Sequence, residues 1–191
     1  IGYIRFDIFH PVLLDTIIKC IKEYHSLPYL ILDIRGNNGG EFITRKTIAE
    51  QFVDKRTLFW KYRSRQGIDD VFLEPADKPF TGKLIILIDE RSSSSSEEFS
   101  GGMKAIGRAT IVGKRTAGKV LTMKVVTLPD GGLFLYPDKQ TLTSKNEILE
   151  GMGVVPDIIV DLKIEDLLAG RDSQLEAAIN YITGMKWTKN E

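Results

Sequence analysis

Cysteine, net charge and long apolar runs are all scarce in this sequence of 191 residues. Cys20 is the single cysteine, which excludes an intrachain disulfide framework and a cysteine-rich zinc site. Twenty-six lysines and arginines balance 26 aspartates and glutamates, so the net charge does not favour a nucleic acid as partner. The longest apolar runs have the length of strands and are far too short to span a membrane. A hydrophobic content of 42% is nevertheless sufficient for a real core.

Histidine, the usual base for a serine nucleophile, is also rare and occurs at His10 and His25. His10 precedes Pro11 in a predicted loop and is interpreted as a surface or capping residue. His25 falls at a predicted helix end, where a histidine pairs with the helix dipole or faces solvent. The sequence therefore gives weak support to a Ser-His-Asp arrangement.

The first part of the chain alternates between strand and helix patterns. Residues 1–6 are β-rich, Pro11 is well placed to open a helix that ends near Ser26, and YLILDI at 29–34 is typical of a fully buried strand. A glycine-rich loop at 36–40 follows, and the apolar spacing then predicts a second helix over 42–53. Repeated strand and helix predict an α/β fold with a mostly parallel sheet, whose sites lie at the carboxyl ends of the strands.

The remaining segments add a hairpin and an edge strand. Residues 55–63 are predicted to form a strand and the polar residues 64–80 a surface loop. PDGG at 129–132 separates two β-prone runs and predicts a hairpin. VVPDIIV at 154–160 is predicted to be an edge strand, because its proline cannot donate to a ladder. Helices are predicted near 164–169 and 175–182, and length alone predicts one domain over 1–191.

The most informative stretch runs from position 83 to position 119. A buried strand at 84–88 is followed directly by five serines, Ser92 to Ser96, and then by apolar residues at helical spacing. Glu97 and Glu98 fall in the first turn of that helix, where the dipole favours carboxylates. The serines thus occupy a tight turn from strand to helix, where unpaired N–H groups suit an oxyanion. One of the serines is therefore a candidate nucleophile.

Four motifs in order resemble a known family, the C-terminal processing peptidases or tail-specific proteases, with their tricorn-like and retinoid-binding relatives. GYIRF resembles the family's opening strand, and LILDIRGNNGG resembles LILDLRNNPGG. SSSSSEEF with GRATIVGKRTAGK resembles SASASEI with GRATIVGEKTFGK, and GMGVVPDIIV resembles GIEPDVVV. The resemblance covers nearly the whole chain and implies the fold shared by Clp-type peptidases and crotonases, plus a hairpin region.

The resemblance also implies roles for individual residues. The middle serine of the motif, Ser94, corresponds to the nucleophile, and Lys119 corresponds to the general base. The oxyanion donors correspond to the N–H of Ser95 and that of Gly39 or Gly40. A lysine with an ordinary pKa of about 10.4 cannot take a proton at neutral pH, so this chemistry requires Lys119 to be buried beside Ser94.

Two positions depart from the family pattern. The family carries a glutamine four residues after the lysine, where this chain has Met123. The tricorn-like branch uses a histidine in its first core strand and a glutamate before its closing segment. Arg5 stands at the first of these positions, while Glu150 matches the second. The hypothesis is that Lys119 is the base and Glu150 an accessory or structural carboxylate.

The resemblance implies a serine endopeptidase that acts on polypeptides near their C-termini, without a cofactor or metal. It implies an extracytoplasmic location in a bacterium, although tricorn-like members are intracellular. The chain begins at Ile1 without an initiator methionine, which indicates a fragment or a processed form that lacks the family's usual PDZ domain. Oligomeric state does not follow from the sequence.

Other readings remain open. Met123 and Arg5 favour a non-catalytic binding module for a lipid or peptide on the same scaffold, and a hydrolase of non-peptide acyl groups would use the same dyad. Asp33 and Asp89 each end a strand and could act as an acid and base pair, but neighbouring arginines favour salt-bridged or capping roles. GNNGG fits neither common phosphate-loop pattern, and no acidic or histidine spacing suggests a metal. Cys20 is interpreted as a small core residue.

Overall fold

The computed structural model describes residues 1–184, which form two β-sheets with helices packed around them. The strands are β1 (Gly2–Arg5), β2 (Tyr29–Asp33), β3 (Thr57–Ser64), β4 (Gly67–Leu73), β5 (Lys83–Ile88), β6 (Ala109–Gly113), β7 (Thr122–Thr127), β8 (Leu133–Thr143) and β9 (Ile158–Ile159). The helices are α1 (Pro11–Glu23), α2 (Phe42–Glu50), α3 (Ser95–Ala105), α4 (Ile164–Leu168) and α5 (Ser173–Thr183). None of these helices is both long enough and apolar enough to cross a membrane.

The first sheet has the strand order β1-β2-β5-β6-β9, and every neighbouring pair in it is parallel. The two apolar runs predicted to be buried, β2 and β5, are adjacent strands inside this sheet. The segment with Pro156 contributes β9 at the edge, as expected of a strand beside a residue without an N–H. The predicted α/β fold with a mostly parallel sheet is confirmed.

Both faces of the parallel sheet are covered, which explains why its central strands are continuously apolar at positions 30–32 and 84–88. Leu30 and Leu32 point into a large core, whereas Ile31 between them points into a smaller one. The large core includes residues of α1, α2 and α3, and the small core includes Ala177 and Ala178 of α5. The helices of the large core are the ones that flank the candidate site.

The second sheet is antiparallel, with the order β4-β3-β8-β7. The hairpin predicted from PDGG joins β7 to β8, and the N–H of Leu128 donates to the carbonyl of Gly132 at 2.8 Å. The prediction of a loop over 64–80 is wrong for its first half, because β4 pairs there with β3. Gly67 has a φ of +139°, which reverses the chain, and Leu73 is buried despite the polar residues between them.

The helix boundaries differ slightly from the predicted ones. α1 begins at Pro11 as predicted and ends at Glu23, before Ser26. α2 ends at Glu50 rather than at 53, because the chain turns there while Phe52 remains buried. Apolar periodicity continued through the turn and made the helix look longer than it is. α4 and α5 lie where the last two helices were predicted.

Candidate active site

Two loops meet at the carboxyl ends of β2 and β5, as adjacent parallel strands require. Asn37 in the first loop is fully buried, and its side-chain oxygen accepts hydrogen bonds from the N–H of Gly39 at 2.9 Å and from Ser96 Oγ at 2.8 Å. Its main-chain oxygen accepts from the N–H of Ser93 at 3.1 Å. Asn37 therefore joins the glycine-rich loop to the serine turn.

Asp89 makes a second connection between the same loops. Its carboxylate accepts from the N–H groups of Gly36, Ser92 and Arg91 at 2.8, 3.0 and 3.1 Å. Burial acts to raise the pKa of Asp89, but the N–H groups of Gly36 and Arg91 outweigh it and hold the pKa below the ordinary value. The capping interpretation of Asp89 fits these contacts.

Asp33 belongs to a buried ion-pair network beneath the glycine-rich loop. Arg35 donates to Asp33 Oδ1 at 2.8 Å and to Asp172, the N-cap of α5, at 2.7 Å. Burial opposes the charged form of Arg35, yet its hydrogen bonds with Asp33 and Asp172 raise its pKa above the ordinary value. Asp33 is thus salt-bridged, as the neighbouring arginine suggested, and the network holds α5 against the end of β2.

Ser94 is the residue with the most unusual backbone at this edge of the sheet. It is the N-cap of α3 and has a φ of +55° and a ψ of −121°, a region that residues other than glycine rarely adopt. Its N–H donates to the carbonyl of Lys119 at 3.0 Å and to Glu97 Oε2 at 3.1 Å. Strain of this kind persists where surrounding contacts enforce it, and it is frequent at functional sites. Ser94 is exposed at the surface of the molecule.

Two backbone N–H groups beside Ser94 have no hydrogen-bond acceptor among residues 1–184. One belongs to Ser95, the first residue of α3, and the other to Gly40. The loop around Gly40 is held on both sides by Phe9, whose N–H donates to the Gly39 carbonyl at 2.8 Å and whose carbonyl accepts from the N–H of Glu41 at 2.7 Å. The N–H of Gly39 is engaged by Asn37, so of the two candidate glycines Gly40 has the available donor.

Gly39 serves the site through its lack of a side chain. A Cβ atom on Gly39 would lie 2.7 Å from Ser94 Cβ and 2.9 Å from the nitrogen of Ser95, and Gly39 also has a φ of +100°. No other residue fits this position without moving the serine turn. The glycine-rich loop therefore packs directly against the serine turn.

Glu97 is fully buried and connects the serine turn to the segment that carries Lys119. Glu97 Oε1 accepts from Thr116 Oγ1 and from the N–H of Gly118, both at 2.6 Å. Oε2 accepts from the N–H of Lys119 at 2.8 Å and from that of Ser94 at 3.1 Å. A single carboxylate with four donors thus fixes the backbones of Ser94 and Lys119 relative to each other.

Glu150 holds the two backbone N–H groups that follow those held by Glu97. Its Oε2 accepts from the N–H groups of Val120 and Leu121 at 2.7 and 3.1 Å. Glu97 and Glu150 together therefore hold four successive N–H groups, those of residues 118–121. These contacts of Glu150 are with the backbone, which is compatible with the hypothesis of a structural carboxylate.

The side chain of Lys119 differs from the predicted arrangement. Lys119 is exposed, whereas a neutral base was expected to be buried beside Ser94. Within residues 1–184, Lys119 Nζ makes no hydrogen bond or ion pair, and none joins it to Ser94 Oγ. The expectation of a dry pocket is wrong for this chain by itself. β7, which follows Lys119, is likewise exposed at every position.

The other candidate residues lie outside this constellation. His10 Nδ1 accepts from the N–H of Val12 at 3.3 Å and caps α1, as predicted, and His25 is exposed after the end of α1. Cys20 is partly buried against the large core. Among the described residues, no group of three or more His, Cys, Asp or Glu side chains could hold a metal ion.

Sequence reasoning had not assigned roles to Asn37 and Glu97 in the site. The signal for Glu97 was its position three residues after Ser94, the spacing at which a carboxylate reaches back to the N-cap N–H. The signal for Asn37 was an asparagine between glycines at the end of a buried strand. Neither signal identifies the hydrogen-bond partners that are distant in sequence. Those of Glu97 lie in the loop at 116–119, and one of those of Asn37 lies in α3.

This geometry can be compared with known proteins. The chain is 28% identical over 188 residues to a carboxyl-terminal-processing protease of Picosynechococcus, covering 96% of this chain and 45% of that protein. Among solved structures, the photosystem II D1 C-terminal processing protease superposes with a TM-score of 0.73 at 29% identity, over 83% of this chain and 42% of that one. The tricorn protease superposes with a TM-score of 0.69 at 26% identity, over 95% of this chain and 17% of that one.

The chain thus spans about half the length, or less, of these relatives. The model of peptidase family S41 matches residues 1–160, which include the glycine-rich loop, the serine turn, Lys119 and Glu150. The resemblance seen in the four motifs is confirmed, and the protein belongs to peptidase family S41.

Proposed function

We propose that this chain is the catalytic core of a serine endopeptidase in which Ser94 is the nucleophile and Lys119 the general base. The observation that carries the proposal is the strained turn at Ser94, which exposes its hydroxyl beside the unpaired N–H groups of Ser95 and Gly40. Acyl transfer requires a nucleophile, here the hydroxyl, and hydrogen-bond donors beside it that stabilise the oxyanion.

The reaction would proceed in two halves. Ser94 Oγ attacks the scissile carbonyl carbon while its proton passes to Lys119 Nζ, and the carbonyl oxygen becomes an oxyanion held by Ser95 N–H and Gly40 N–H. Lys119 then gives the proton to the leaving amine as the C–N bond breaks, which leaves an acyl-enzyme. Water attacks this ester with Lys119 again as base, and Ser94 is regenerated. The steps require no cofactor.

Lys119 must be neutral for the first step, and exposure works against that. A bound polypeptide lying over the serine turn would remove water from Lys119 and from Ser94 together. Catalytic hydrogen bonds are often long in a protein without substrate and tighten in the complex. The backbone contact at 3.0 Å between Ser94 and Lys119 supports this, because it keeps the flexible lysine side chain within reach of the hydroxyl.

The names of the relatives support polypeptide substrates processed near their carboxyl termini. An extended strand or a disordered tail would suit an exposed serine turn, since neither demands a deep pocket. The same relatives are compatible with an extracytoplasmic location in a bacterium, which we include in the proposal.

The experiment uses the full-length protein, a fluorophosphonate probe and a quenched peptide. Ser94→Ala should abolish both labelling and hydrolysis, while Ser93→Ala, its matched neighbour, should retain both. Loss of a general base lowers rates by about 10²- to 10⁴-fold, so Lys119→Ala should reduce both signals by that order. Near-full activity of Lys119→Ala would remove this residue from the mechanism, and labelling that survives Ser94→Ala would remove the proposed nucleophile.

A binding module is the second candidate, favoured by the exposure of Lys119 and by Met123 at the family's glutamine position. Such a module would bind a peptide or lipid reversibly at the same edge of the sheet. Stable peptide binding without labelling of Ser94 would favour the module, and peptide hydrolysis that depends on Ser94 would exclude it.

A further inference from the structure

A buried ion pair between α2 and α3 lies beneath the candidate site and is not used in the steps above. Arg45 of α2 is 2% exposed and forms a salt bridge with Glu98 of α3, which is 6% exposed. The motif that this chain resembles, SASASEI, has isoleucine where the present sequence has Glu98. The pair is therefore a departure of this chain from the motif.

The pair extends to the residue next to Lys119. Arg45 Nη2 donates to the Tyr62 hydroxyl at 3.0 Å, and Thr141 Oγ1 lies 2.9 Å from Glu98 Oε1. The same Thr141 hydroxyl lies 3.1 Å from the carbonyl oxygen of Val120. Because a hydroxyl has one proton, Thr141 donates to one of these two acceptors at a time. Glu98 and Val120 are thereby coupled through one buried hydroxyl.

The two helices joined by the pair begin at, or just after, the two proposed oxyanion donors. α2 begins two residues after Gly40, and α3 begins at Ser95 itself. A link between α2 and α3 consequently sets the separation of the two N–H groups. We propose that Arg45 and Glu98 are positioning residues, which hold the donors of Gly40 and Ser95, and through Thr141 the Lys119 segment, in the geometry for catalysis. This inference rests on the proposed function.

Stability is a poor explanation for the pair. Replacing a buried ion pair with apolar side chains of similar size is often neutral or stabilising, whereas removing one partner is costly. Burial lowers the pKa of Arg45, and its Nε has no hydrogen-bond partner among the described residues. A pair retained at such a cost, beside Glu97 and within the first turn after Ser94, is better explained by the orientation that it imposes.

The test separates position from stability by replacing the whole pair. The double variant Arg45→Met/Glu98→Ile should unfold at a urea concentration no lower than the parent, yet its kcat should fall about tenfold with KM within twofold, since oxyanion donors act mainly in the transition state. Thr141→Val, which leaves the pair intact, should lower kcat about threefold through loss of one hydrogen bond. The control is the exposed pair Arg56–Glu74, for which Arg56→Met/Glu74→Ile should leave kcat unchanged.

Two different failures can be told apart. If the full-length Ser94→Ala variant hydrolyses the peptide as fast as the parent protein does, the proposed function fails and this inference fails with it. If hydrolysis depends on Ser94 while the folded double variant and Thr141→Val both keep the parental kcat, the ion pair has a structural role alone. The inference would also be overturned if kcat fell only in those variants whose urea midpoint fell as well, because the loss of activity would then reflect loss of stability.

Discussion

The two halves of the candidate site differ in how firmly they are held. On the proposed oxyanion side, Asn37, Asp89 and Phe9 hold the glycine-rich loop and the serine turn, and the N–H groups of Gly40 and Ser95 have no acceptor among the described residues. On the base side, the backbone of Lys119 is clamped by Glu97, yet its side chain is exposed. The oxyanion side is thus preorganised in this chain, whereas the proton-transfer side is fixed at its backbone alone.

The difference follows from what surrounds each half. The oxyanion side lies between β2, β5 and the start of α3, where both the sheet and the large core limit movement. The base side leads into β7, an edge strand exposed throughout. Dipoles that are already oriented cost nothing to reorganise during the reaction, but a lysine base needs water removed from it. In the proposed mechanism, the bound polypeptide would therefore have to exclude water from Lys119.

Gly39→Ala should disrupt the rigid half most strongly. The new Cβ would meet Ser94 Cβ at 2.7 Å, so the serine turn must move, and we expect activity to fall about 10³-fold, as for loss of an oxyanion donor. Gly67→Ala is the matched control, because Gly67 also has a positive φ but nothing lies within 4 Å of its Cβ position. Peptide hydrolysis and urea unfolding measure both effects. Comparable activity in the two variants would show that the turn tolerates movement.

Glu97→Gln tests the connection between the two halves. The amide would place a donor against the N–H groups of Lys119 and Ser94, so we expect kcat/KM to fall about 100-fold and the unfolding free energy by about 3 kcal/mol. Glu90→Gln, in the exposed turn that follows β5, should change neither quantity. Wild-type hydrolysis in Glu97→Gln would mean that the clamp does not matter to the reaction.

Met123→Gln should sharpen the comparison by adding a hydrogen-bonding group to the exposed half. Met123 is 46% exposed, so glutamine fits without repacking, and one added hydrogen bond to the base should raise kcat about threefold. Val125→Gln, two residues along β7 and also exposed, is the control and should leave kcat unchanged. A gain shared by both variants would point to the solubility of the hairpin rather than to the base.

Acid should weaken the oxyanion side by a smaller amount. The lowered pKa of Asp89 means that its contribution to stability is present above the unfolded value of about 3.9 and is lost as the pH falls through the folded value. Urea unfolding at pH 7 should therefore show Asp89→Asn to be less stable than the parent by about 1 kcal/mol, and this gap should narrow as the pH falls below the unfolded value. A gap that does not change with pH would contradict the assigned role.

Sequence patterns predicted the parallel sheet, the serine turn and the hairpin well, because each depends on local periodicity or turn chemistry. β2 and β5 are continuously apolar at positions 30–32 and 84–88 because both faces of their sheet are covered. β4 was missed because its polar residues, Asp69 and Asp70, resemble a loop, although the strand pairs with β3 across a tight turn at 65–66. The polar composition therefore concealed a hairpin that is local in the sequence.

The candidate site divides in the same way. Ser94, Lys119 and the glycine-rich loop could be named from motifs, and Pro11, Glu97 and the PDGG turn had recognisable local roles. Residue order alone determined that a tight, polar turn follows a buried strand and opens a helix. The tertiary structure decided that four donors converge on Glu97 and that the side chain of Asn37 accepts a hydrogen bond from the N–H of Gly39. It also decided that Lys119 is exposed to solvent. Those outcomes depend on which segments pack together and on what remains uncovered, and neither hydrogen-bond partners nor burial is a property of one residue and its neighbours in the chain.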